Sequence, residues 1–100
     1  MKRKRKTDKF YSEAKNRIRD YEKNRQNPSY IQRIYDTYIE AAIYETLAEE
    51  NGAEKMEIVR FVLFRGGSYE AAAAKFNYSR SSVIRFTAAF IKKVLRMVRQ

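Results

Sequence analysis

The chain of 100 residues contains no cysteine and no histidine. The first absence excludes a disulfide framework and thiolate metal sites, and it fits a reducing compartment. The second removes any imidazole zinc site and any Ser-His or Cys-His nucleophile pair, which leaves only carboxylates, lysines and tyrosines for acid or base work. No catalytic constellation can be assembled from what remains, so no enzymatic activity, cofactor or metal is expected. Long apolar runs are missing too. The longest run of large apolar residues is 61–64, far short of the roughly 20 residues that a membrane-spanning helix needs. Residues 2–6 are all basic with no apolar stretch behind them, unlike a secretion signal. Finally, residues 79–100 hold six basic side chains and no acid.

That last imbalance belongs to a larger pattern. Net charge is +10. Residues 1–25 carry eleven basic against four acidic side chains, 26–52 one against five, and 53–100 ten against three. Basic ends around an acidic middle suit a polyanion such as double-stranded DNA, because each neutralised phosphate releases condensed counterions. A chain this short makes one small domain, or one domain with a helical appendage. Its fourteen aromatics can supply much of the core.

Lys2, Arg3, Lys4, Arg5 and Lys6 form a block of positive charge that reads either as a solvated tail or as an arm along phosphates or in a minor groove. From Thr7 to about Arg25, Phe10, Ala14, Ile18 and Tyr21 make one thin apolar stripe on a helix. Lys15, Arg19 and Lys23 on its other faces are candidate nucleic-acid contacts. Asn27 and Pro28 predict a new helix start, with asparagine as cap and proline at the first helical position. The helix runs to about Glu50, stopped by Asn51 and Gly52. Its apolar band is broader than one neighbour needs. Tyr30, Ile34, Tyr35, Tyr38 and Ala42 are therefore candidates for a homodimer seam or an RNA polymerase contact as well as for internal packing. Asp36, Glu40, Glu45 and Glu49 are strung along this helix without an organising loop and read as acidic surface, not as a metal site.

Ala53 to Arg65 predicts a support helix with Met56, Val59, Val62 and Leu63 on one face. Gly66 and Gly67 end it. No strand precedes them and no Lys-Ser/Thr follows at the required spacing, so they are not a phosphate-cradling loop. Ser68 then caps a short helix with a glutamate in its first turn and four alanines behind it. Asn77 stands at the reversal, where a left-handed backbone is wanted. Ser79 caps a last helix from about Arg80 to Val98. Such a bihelical unit would bury Ala72, Ala73, Phe76, Tyr78, Val83 and Phe86, every one apolar or aromatic.

The stretch 67–83, Gly-Ser-Tyr-Glu-Ala-Ala-Ala-Ala-Lys-Phe-Asn-Tyr-Ser-Arg-Ser-Ser-Val, resembles the helix-turn-helix of bacterial and phage transcription regulators, most closely region four of sigma factors. Asn77 stands where that family has glycine at the turn, and Ala72 where it usually has isoleucine. The resemblance covers about residues 53–98. The whole chain is similar to small phage late-gene regulators. It implies an all-α fold, with a helical region over 7–52 and a DNA-binding domain over 53–100, in the cytoplasm of a bacterial or phage-infected cell. In that geometry Arg80, Ser81, Ile84 and Arg85 face the bases of the major groove. Ser68, Tyr69, Ser79, Ser82, Lys92 and Lys93 face phosphates. Two other functions share the fold: a DNA-packaging or architectural protein akin to a small terminase subunit, and a polymerase-binding adaptor. A basic amphipathic helix can also lie on a membrane, but Phe86, Phe90 and Val94 are needed for the core of so small a domain, so no membrane partner is expected.

Overall fold

The computed structural model describes residues 7–23 and 26–99; the basic arm Lys2 to Lys6 lies outside them. Helix α1 spans Thr7–Lys23, α2 Tyr30–Leu47, α3 Gly52–Val59, α4 Tyr69–Phe76 and α5 Arg80–Val98, and α3 runs on through a π-helical segment at Arg60–Phe64. The fold is all-α, with no strand among the described residues.

The thin stripe of α1 is real except at its first member. Ala14, Ile18 and Tyr21 are buried, whereas Phe10 is 49% exposed. Helix α2 differs from expectation at both ends. Ser29, not Asn27, is its cap, accepting a hydrogen bond from the Gln32 amide at 3.1 Å. At the far end α2 stops at Leu47, and Asn51 and Gly52 open α3 instead of closing α2. Asn51 takes the left-handed conformation at φ 58°, which asparagine tolerates among non-glycine residues. Gly52 is fully packed, and a Cβ there would collide with the carbonyl groups of Thr46 and Leu47. The tight pairing of α2 with α3 therefore depends on glycine for close approach rather than for a helix stop.

Gln32, Tyr35, Ile39, Ala42 and Thr46 form the buried face of α2. Tyr35 and Ala42 thus belong to the interior, while Tyr30 and Ile34 point outward and Tyr38 is half-buried. The five do not share one surface. Their angular positions straddle the boundary between the inner and outer faces of the helix. Among the described residues, Gln32 is one of three buried polar side chains, with Thr46 and Thr87. Its amide nitrogen donates to the Arg17 carbonyl at 3.0 Å and to Asp36 at 2.8 Å, which latches α1 onto α2.

The support helix is not uniform either. Its α-helical bonding gives way to the wider π pattern at Arg60, and the Arg65 amide reaches back to the Arg60 carbonyl at 3.1 Å. A π turn advances each residue through a smaller angle than an α turn. Val62, Leu63 and Phe64, three in a row, can consequently all be buried. Gly66 follows at φ 80°, a left-handed position at which a side chain would be strained.

One cluster unites these elements. Ile18, Ile39, Met56, Val59, Phe64, Val83 and Phe90 all belong to it, so both halves of the chain contribute. Phe64 packs edge to face on both sides, its ring centroid 5.6 Å from that of Tyr21 of α1 and 6.1 Å from that of Phe90 of α5. Each such fully buried side chain contributes about 1.5–3 kcal/mol of transfer free energy.

Candidate nucleic-acid interface

Helices α4 and α5 are both started by serine. Ser68 Oγ accepts from the Ala71 amide at 3.0 Å, and Ser79 Oγ from the Ser82 amide at 3.1 Å. Each cap satisfies an orphan donor and fixes where its helix begins. Between them Asn77 adopts φ 62°, ψ 47°, the left-handed state that reverses the chain within one residue. Of the six positions expected inside this unit, Ala72 and Val83 are buried and Ala73, Phe76, Tyr78 and Phe86 are half-buried. The last four lie where the short α4 covers its neighbours only partly. Tyr78 and Phe86 meet edge to face at 5.4 Å across the turn, and the Tyr78 hydroxyl donates to Glu54 of α3 at 2.7 Å. That bond raises the phenol's pKa by stabilising its protonated form.

At about 100° per residue, Arg80, Ser81, Ile84 and Arg85 fall within roughly 140° of the circumference of α5. The two arginines and Ser81 are exposed and Ile84 is half-buried. Ile91 and Leu95 share that angular sector but are buried. Beyond Ala88 the sector is therefore mixed, with Lys92 exposed between the buried Ile91 and Leu95, and Glu45 of α2 and Glu49 just after it are tied to that half of α5. Arg96 is held by both oxygens of Glu45 at 2.9 and 3.1 Å, and Lys93 by Glu49 at 2.9 Å. Residues 54–92 match the family described as a helix-turn-helix domain. No curated protein and no solved structure matches the chain.

Within this helix-turn-helix, the other expected contact residues occupy different environments. Ser68 and Tyr69 stand at the start of α4, and Ser79 and Ser82 at the start of α5. Ser79 Oγ and Ser82 Oγ are 3.0 Å apart, and an Arg85 nitrogen lies 3.4 Å from Ser82 Oγ. Lys92 is exposed and unpaired among the described residues. Lys93 differs: its side chain is only 13% exposed and its charge is already matched by Glu49.

Sequence reasoning missed Glu70 as a member of the site. Its carboxylate accepts from Arg80 Nε at 2.7 Å, and the guanidinium also lies over the Tyr69 ring at 5.6 Å. The Arg80 hydrogen bond is the main cause holding the Glu70 carboxyl below its usual range. A glutamate in the first turn of one helix and an arginine in the first turn of the next are brought together by any bihelical turn of this kind, and that was the available signal. A second basic feature went unnoticed. A groove of about 300 Å³ beside the turn between α3 and α4 is lined by Arg60, Arg65 and Lys75, with Glu57, around Phe61 and Phe76. Arg60 and Arg65 are both shared with Glu22 of α1, at 3.4 and 3.7 Å. Among the described residues no group of acids has the arrangement of a metal site, and no helix is long and apolar enough to cross a membrane.

Proposed function

We propose that the chain is a sequence-specific DNA-binding transcription regulator of bacterial or phage type, akin to the sigma-factor region-four and phage late-gene proteins that its motif resembles. The observation that carries this reading is the exposed first two turns of α5, where Arg80, Ser81 and Arg85 are open, Arg80 reaches Glu70 in the first turn of α4, and α5 itself carries no acid. An arginine fork can bond guanine O6 and N7 together, and Ile84 can meet a thymine methyl. Ser68, Tyr69, Ser79, Ser82 and Lys92 then contact phosphates and set the register, while Lys2 to Lys6 extend the contact along the backbone or a minor groove.

Selection from a random duplex library at physiological salt tests this, run with the native chain and with the Arg80→Ala/Arg85→Ala variant. The native chain should enrich a motif that the variant does not. Each single substitution should cost about 1–3 kcal/mol on that motif and relax specificity at one position. Equal losses on every sequence would refute base reading.

A further inference from the structure

Among the described residues none covers the outer face of α2, although it is not polar. Tyr30 and Tyr44 are each 74% exposed, and they stand seven residues either side of Thr37. Ile34 and the small Ala41 lie between them on the same line, since all five fall within about 80° of the helix circumference. The stripe is therefore close to symmetric about its own midpoint. It has a bulky ring at each end and small side chains at the centre, where two helices could cross closely.

Its flank carries charges of the same symmetry. Arg33 and Glu40 lie on one edge of the stripe, separated by two helical turns, too far apart to pair with each other. Arg33 makes no ion pair among the described residues. Glu40 accepts a hydrogen bond from the Tyr21 hydroxyl at 3.1 Å and meets no base among the described residues. In an antiparallel two-fold arrangement centred near Thr37, the edge of one helix meets the same edge of its copy at mirrored height. Arg33 then comes opposite the partner's Glu40, and Glu40 opposite the partner's Arg33. The other edge brings no like-charge clash, because Glu45 is already neutralised by Arg96.

We infer that a second copy of the chain docks antiparallel on the outer face of α2, with Thr37 near the two-fold axis and Arg33 and Glu40 forming two reciprocal ion pairs. The acidic middle of the sequence keeps this contact away from the basic ends, so a net charge of +10 on each copy does not prevent it. The inference does not rest on the DNA reading and can fail or hold without it.

Sedimentation equilibrium of the full chain over about 1–200 µM tests it, with Arg33→Glu, with Glu40→Arg, and with an equimolar mixture of the two. The native chain should show a reversible dimer. Each single variant should weaken it at least about fivefold, because like charges then face each other twice. The mixture should recover native affinity as a heterodimer, since the exchanged charges are again complementary on both sides. Circular dichroism of each variant separates lost association from lost folding, and recovery in the mixture itself requires folded chains. A monomer throughout the range, single variants that associate as the native chain does, or a mixture that fails to recover would each overturn the proposal.

Discussion

Thr46 Oγ1 is buried with no hydrogen-bond partner among the described residues. An unsatisfied hydroxyl in the interior costs about 1–3 kcal/mol relative to an apolar group of the same shape. Thr46→Val is therefore expected to stabilise the chain by about 1 kcal/mol, read as a higher urea midpoint at unchanged slope. A lower midpoint would mean that the hydroxyl has a partner. Gly52 is the opposite case. Alanine normally favours a helix over glycine by about 1 kcal/mol. Here the added Cβ meets two backbone carbonyls that cannot move without separating α2 from α3. Gly52→Ala should lower the melting temperature, and an increase would show that the approach is looser than described.

At the scale of elements, α5 carries two adjacent lysines with different duties. Lys92 is free to neutralise a phosphate, and Lys93 is held by Glu49. Replacing Lys92 by alanine should reduce the salt dependence of DNA affinity by about one phosphate contact. Replacing Lys93 should leave that slope nearly unchanged and lower stability instead. Equal slopes for the two variants would contradict the assignment. The same ion pair makes the α2–α5 contact acid-sensitive. The hydrogen bond from Lys93, with help from Lys55, holds the Glu49 carboxyl below its unfolded value of 4.5. A depressed folded value means that the contribution is present above pH 4.5 and lost as pH falls through the folded value. Chemical denaturation across pH 5 to 3 should show this loss, and Glu49→Gln should remove part of it. The pair is partly exposed, so the effect is modest.

For the whole molecule, the helix-turn-helix does not own its core. Phe64 packs against Tyr21 of α1, and Ile18 and Ile39 join the same cluster as Val83 and Phe90. A fragment of residues 53–100 would expose that surface to water. It is expected to lose most of its helical circular dichroism and its cooperative melting, whereas a cooperatively folding fragment would show that α1 and α2 are an appendage.

The helical spacing of apolar residues, the serine caps and the left-handed Asn77 determined, without any coordinates, that the chain is helical and where α4 and α5 begin and turn. These are local signals, set by backbone sterics and by hydrogen bonds within three residues. The helix ends around 27–29 and 47–52 were misjudged, because several capping residues compete there and only packing chooses among them. The sequence pattern did not show Glu70 beside Arg80, which of Tyr30, Ile34, Tyr35, Tyr38 and Ala42 turn inward, or the burial of Ile91 and Leu95 on α5. Each depends on which helices meet in space. An apolar band wide enough for two neighbours does not say which edge turns inward, and a basic helix does not say which of its lysines an acidic neighbour has already neutralised.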